Sequence, residues 1–186
     1  MNLKNILFVA LFSVSFIVVG TSWEVLTKSE DDVQELVEKG KMGGVPTSPT
    51  SLKMYELIEK YSTEYQIPKY VAYNVAFLET RYQGPFHWNY KPEQTSFAGA
   101  VGPMQIMPST ARFINKTSVS VSVLKNDIEL NIETSMKLLN RLYEKYGDWA
   151  VVCGCYNTGR PIVNGYGKFC SSNTNYQKNW VYLKDI

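Results

Sequence analysis

The sequence predicts a mainly α domain with an irregular loop or short-strand segment in its middle, and three observations predict it. Apolar residues recur at helical spacing in residues 51–67 and, over a longer run, in 127–147. Between these runs, residues 83–108 carry three glycines, four prolines and no sustained period. The periodic runs are bounded by helix punctuation: Pro68, then Gly147 followed by Asp148.

In chain order, residues 1–22 read as a signal peptide, with an uncleaved N-terminal anchor as the alternative. Lys4 supplies a positive start, Ile6 to Val19 is unbroken apolar and small, and Gly20 and Ser22 suit a cleavage site. The run is short for a spanning helix, which needs roughly 20 residues. Either form implies export to the periplasm, cell envelope or extracellular space, with membrane contact only through this segment if it stays uncleaved. Residues 23–50, charged and then rich in Gly, Pro, Ser and Thr, read as a linker. The folded domain is expected over 51–186.

A first helix has Leu52, Tyr55, Ile58 and Tyr61 on one stripe. Pro68 closes it and opens a second helix, 68–82, as a first-turn residue. In the irregular middle, Phe86, Trp88, Tyr90 and Phe97 argue for order. Helical spacing resumes at 109–115 and strongly at 127–147, where Ile132, Met136, Leu139 and Tyr143 form a stripe that Gly147 ends. Asp148 can cap a further helix, 148–157. The tail from Arg160 onward, rich in Gly, Asn and Tyr, supports no assignment.

With 186 residues, 45% hydrophobic, the chain can bury one ordinary core. A formal charge of +2, with basic residues dispersed, gives no reason to expect nucleic acid. There is no G-x-S-x-G, no phosphate-binding glycine pattern, and the single histidine, His87, builds no triad. Three cysteines in an exported chain allow at most one internal bridge. Cys153 and Cys155 are badly spaced to pair on a helix, so a bridge from Cys170 to one of them is expected. Zinc is disfavoured, because C-x-C is not the usual spacing. No cofactor and no metal are expected.

One acid stands out. If 68–81 is helical, Glu79 lies one turn beyond Val75 on the face shared with Val71, Ala72 and Ala76, so its carboxylate points inward. Burial disfavours the charged form and raises a carboxyl pKa, as a general acid at neutral pH requires. The competing reading, an ion pair with Arg81, suffers because residues two apart on a helix face different ways.

The order and spacing of "ETRY" at 79–82, "SFAGAVGPMQIMPSTA" at 96–111 and "CYNTG" at 155–159 resemble the soluble lytic transglycosylase domain family, relatives of goose-type lysozyme. Residues 126–149 also look like the family's helix that begins after an Asn-Ile pair. The resemblance covers roughly residues 52–165 and implies a lysozyme-like helical fold. By matching position it makes Glu79 the single catalytic acid/base. Thr80 stands where a Ser usually follows, Ser96, Gly99 and Ala100 match an S-x-x-G-A turn, and Gly102, Met104 and Gln105 match a G-L-M-Q segment. Tyr156 and Asn157 match a Tyr-Asn pair that reaches back to the glutamate. The resemblance thus assigns substrate contact to Thr80, Ser96, Gly99, Ala100, Met104, Gln105, Tyr156 and Asn157. Gln105 would hydrogen-bond an N-acetyl group, and Tyr156 would donate to Glu79.

The implied substrate is the peptidoglycan glycan strand. Between Glu79 and Asp127 the only acid is Glu93, whereas most glycosidases flank the scissile bond with two carboxylates. Substrate assistance by the N-acetyl group, with a 1,6-anhydro-muramoyl product, is therefore what the resemblance implies. Two alternatives remain: a hydrolytic lysozyme using Glu93 or another acid on water, and a wall-binding or assembly module of a secretion, envelope or phage-like machine. Pro103, Ser135 and Gly154 depart from the family's usual Leu, Gly and Ala.

Overall fold

A computed structural model describes residues 49–174. The expected signal or anchor segment, most of the linker and residues 175–186 lie outside the described residues. Among the described residues, no helix is long and apolar enough to cross a membrane.

Helix α1, Pro49–Glu64, begins inside the expected linker, whose last two residues form its first turn. Its buried side is Met54, Leu57, Ile58 and Tyr61. Leu52 and Tyr55 of the expected stripe are only half-buried, because the contact face is rotated towards Met54 and Leu57. Helix α2, Lys69–Thr80, follows Pro68, whose fixed φ of −56° suits the residue before a helix. All six residues from Val71 to Ala76 are buried, so α2 is the central helix rather than a one-sided amphipathic one. It ends where Arg81 turns left-handed at φ 60° and its N–H bonds the Phe77 carbonyl at 2.9 Å.

Between α2 and the next helix the chain is irregular, with isolated bridges pairing Thr95 with Val101 and Val101 with Ile106. Tyr82 and Tyr90 order this stretch, ring centroids 4.9 Å apart, and the Tyr82 hydroxyl donates to the Ser51 carbonyl at 2.6 Å. Trp88 and Phe97, expected to contribute to that order, are exposed.

Helices α3, Pro108–Asn115, and α4, Val121–Asn126, lead into the long α5, Ile128–Tyr146. Helix α4 escaped sequence reading, since Val and Ser alternate there as in a strand; Ser120 starts it by accepting the Val123 N–H at 3.1 Å. Helix α5 is capped by Asp127, which accepts the Leu130 N–H at 3.0 Å, and stopped by Gly147 at φ 67°. It therefore begins before Asn131 and Ile132, and Asn131 lies in its first turns with its side chain buried. Ile132, Met136 and Leu139 are fully buried as expected, while Tyr143 is exposed on one side and stacks on Trp149, centroids 4.2 Å apart. Asp148 caps α6, Trp149–Thr158, by accepting the N–H groups of Ala150 and Val151.

The tail contains a further helix, α7, Gly165–Cys170, which packs on α6 and α2. The disulfide is Cys153–Cys170, Cα atoms 6.2 Å apart, within the range that bridging requires. It closes a loop of 17 residues, for which chain entropy predicts about 3 kcal/mol of stabilisation. Cys155 keeps a free, buried thiol that burial holds above its ordinary pKa.

Candidate active site

The last turn of α2 presents Glu79 half-buried. Desolvation pushes its carboxyl above the ordinary 4.5. Against that, the Tyr166 hydroxyl donates to Glu79 Oε1 at 2.6 Å and pulls the pKa partly back. Burial and the neighbouring Glu79 charge push the Tyr166 phenol well above its own ordinary value, so it stays a donor. Arg81 takes no part: its guanidinium lies 5.3 Å from the Phe77 ring centroid, and the Glu79 carboxylate is held by Tyr166. Nor does a second carboxylate among the described residues take part; Glu93 is exposed and Asp127 is occupied as a helix cap.

Behind the acid stands the tight turn Gly102–Gln105. Val101 and Ile106 exchange N–H···O bonds of 3.0 and 3.1 Å, and Gln105 N–H closes the turn on the Gly102 carbonyl at 3.1 Å. Glycine is required at 102, where φ is +79° and a Cβ would overlap the Asn131 amide. That amide secures the turn: Asn131 Nδ2 donates to the carbonyls of Val101 and Leu124, each at 2.9 Å, and Oδ1 accepts the Met104 N–H at 3.0 Å. Two further bonds tie the turn to the helices. Thr80 Oγ1 donates to the Pro103 carbonyl at 2.8 Å and meets the Tyr90 hydroxyl at 2.7 Å. The Tyr156 hydroxyl donates to the Met104 carbonyl at 2.7 Å, with Ser135 Oγ 3.3 Å away. Ser135 itself donates to the Asn131 carbonyl at 2.8 Å, so the hydroxyl that replaces the family's usual glycine is fully engaged.

A second turn, Ser96–Ala100, is closed by Ser96 N–H to the Ala100 carbonyl at 2.8 Å, Gly99 N–H to the Ser96 carbonyl at 3.0 Å, and Ala100 N–H to Ser96 Oγ at 3.0 Å. Gly99 sits at φ +89°. Gln105, left-handed at φ 50°, donates its side-chain Nε2 to the carbonyls of Gly102 at 2.8 Å and Gln94 at 3.3 Å. Its amide oxygen is the atom left to offer a ligand.

These contacts revise several expectations. Thr80 and Met104 are buried, 4% and 0% exposed, and brace the turn from behind. Tyr156 does not donate to Glu79; its hydroxyl is turned to Met104, although the Glu79 charge acts on it. Asn157 is exposed and its Oδ1 accepts from Asn164 Nδ2 at 3.2 Å, while Asn164 Oδ1 caps α7 by accepting the Gly167 N–H at 2.8 Å. Tyr156 thus braces the Met104 turn, and Asn157 supports the start of α7, the helix that carries Tyr166. Ser96, Gly99, Ala100 and Gln105 form one hydrogen-bonded unit across the Val101 bridges. Tyr166 and Asn131 were missed as site residues. Asn131 carried a signal, a polar residue at an otherwise apolar position of a strongly periodic helix. No group of three or more His, Cys, Asp or Glu among the described residues could hold a metal.

The family model described as "Transglycosylase SLT domain" matches residues 56–176. Among solved structures, a 70-kDa soluble lytic transglycosylase in complex with bulgecin A is 29% identical over 55% of this chain and 16% of its own, with a TM-score of 0.47. The 70-kDa soluble lytic transglycosylase of Escherichia coli is 25% identical over 70% of this chain and 21% of its own, at 0.48. An inactive mutant of the lytic transglycosylase Slt of Pseudomonas aeruginosa is 17% identical over 60% and 17%, at 0.48. The chain spans about a fifth or less of each of these proteins.

Proposed function

The chain belongs to the transglycosylase SLT domain family, and we propose on that premise that it is a peptidoglycan lytic transglycosylase. The substrate is the glycan strand, cut at the β-1,4 bond between MurNAc and GlcNAc. The observation that carries this reading is Glu79, a half-buried carboxyl raised in pKa by burial and held by Tyr166, with no second carboxylate of the described residues acting on it.

Protonated Glu79 gives its proton to the glycosidic oxygen as the bond to the departing GlcNAc breaks. With no second acid of the described residues acting there to stabilise the oxocarbenium-like sugar, the carbonyl of the substrate's own N-acetyl group does so. Glu79, now a carboxylate, takes the proton from the C6 hydroxyl, whose oxygen closes on C1. A 1,6-anhydro-MurNAc end results, no water is consumed, and Glu79 is again protonated. Tyr166 serves the carboxylate stage: its hydrogen bond favours the charged form and fixes which oxygen faces the sugar.

Ser96, Gly99 and Gln105 line the glycan path in this reading, with the buried Ala100 closing the turn behind them, backbone turns allowing close approach of a sugar and the Gln105 amide oxygen accepting from an N-acetyl N–H. Thr80, Met104 and Tyr156 support that path. A peptidoglycan substrate supports work outside the cytoplasmic membrane.

The test is release of soluble muropeptides from purified sacculi. Glu79→Gln keeps the shape and the acceptor for Tyr166 but cannot donate a proton, and should lower release by at least roughly a hundredfold. Undiminished release by that variant would remove Glu79 from the chemistry.

A further inference from the structure

Tyr166 sits on a helix that is too short to hold itself in place. α7 has six residues, two of them glycines, far below the length at which a helix is stable alone. Yet the Tyr166–Glu79 bond needs this helix placed to a fraction of an ångström.

Its last residue, Cys170, is bonded to Cys153 of α6. Tyr166 lies four residues before Cys170, one turn away on the same face. Fixing the Cys170 sulfur therefore fixes the turn from which the phenol reaches Glu79. A second contact comes from α2 itself. The fully buried Asn74 donates from Nδ2 to the carbonyls of Phe169, Cys170 and Ser172 at 3.4, 3.0 and 3.1 Å. Gly167 lies flush on α6, where a Cβ would overlap the Ala150 carbonyl, and the Phe77 and Phe169 rings stack at 5.8 Å. Hydrogen bonds, glycine and ring contacts seat the helix. The disulfide is the one covalent cross-link that joins it to α6.

We propose that the Cys153–Cys170 disulfide is a positioning element of the active site: it pins α7 between α6 and α2 so that Tyr166 meets Glu79, and the site is assembled fully only in the oxidised chain. The proposal rests on the reading of Glu79 as the acid. The disulfide touches no substrate and acts through Tyr166.

That route can be tested by non-additivity. Four proteins are compared on purified sacculi: the wild type, Cys153→Ala/Cys170→Ala, Tyr166→Phe, and the triple variant. The Cys153→Ala/Cys170→Ala protein should lose roughly tenfold or more in kcat and take on the pH–rate profile of Tyr166→Phe. In the Tyr166→Phe background, removing the disulfide should change kcat less than about twofold. Equal fold-losses in both backgrounds, or no loss in either, would overturn the proposal. Amide hydrogen exchange on the same proteins supplies a readout independent of activity. Exchange should quicken in residues 159–172 while α1, α2 and α5 keep their protection. Quickening throughout, or unfolding of the whole domain by circular dichroism, would make the disulfide a general staple and equally overturn it. If the wild type itself releases no muropeptides, the enzymatic reading fails, and the exchange result still decides whether the disulfide holds α7.

Discussion

Tyr166 and Glu79, 87 residues apart in the chain, meet at 2.6 Å, a phenol donor closing on a half-buried carboxylate. Two opposed effects converge there: burial raises the proton affinity of Glu79 and the Tyr166 bond lowers it. Burial prevails, and the carboxyl stays above its ordinary value.

Tyr166→Phe removes the lowering influence and leaves the burial, so the Glu79 pKa rises. Donation requires protonated Glu79, and activity falls as pH passes through its pKa. The alkaline limb of the pH–rate profile should therefore move to higher pH, with kcat at the optimum reduced roughly tenfold to a hundredfold. Profiles recorded on sacculi check both effects. An unmoved limb would mean that Tyr166 does not act on Glu79.

The same burial has a consequence for stability. A carboxyl whose folded pKa lies above its unfolded value, near 4.5, contributes fully below that value. The contribution is lost as pH rises through the folded pKa. Glu79→Gln has no charge to bury, so it should melt at a higher temperature than wild type at pH 7, and the difference should shrink below about pH 4. Calorimetry at the two pH values decides.

Asn131 makes three bonds to the backbone of the Met104 turn and α4. Asn131→Leu fills similar space but strands buried backbone groups, each worth about 1–3 kcal/mol. A loss of roughly 3 kcal/mol in urea unfolding is expected. Activity should also fall under conditions where the variant is folded, because the Gln105 turn loses its anchor.

At 154 the family's usual residue is the wrong one for this chain. Gly154→Ala should gain about 1 kcal/mol from helix propensity alone. Here an added Cβ would overlap the Ile162 carbonyl of the segment that leads into α7, and overpacking costs about 1–3 kcal/mol. The expected outcome is a net loss, read as a lower melting temperature. A gain would mean that the 159–164 segment yields freely.

Much of this site was legible in the sequence, because its central parts announce themselves locally. Pro68, the Val-Ala run and the acid after it define α2 and turn Glu79 inward; Gly147 and Asp148 mark the break between α5 and α6. What was hidden depends on contacts far apart in the chain. Tyr166 lies in a glycine-rich segment with no periodicity, and only docking on α6 and α2 makes it a helix. The choice of Cys153 over Cys155 as partner for Cys170 likewise follows from which α6 residue faces α7. Tyr156, assigned to Glu79 by resemblance, is turned to the Met104 carbonyl, a bond visible only once the turn is built.

The central claim, a single acid that cleaves without water, is tested most directly by mass spectrometry of the muropeptides released from purified sacculi. The account predicts glycan ends lighter by one water than hydrolytic products and resistant to borohydride, produced by wild type and absent with Glu79→Gln. Full-mass ends that borohydride reduces would contradict it, and would require a second group that activates water.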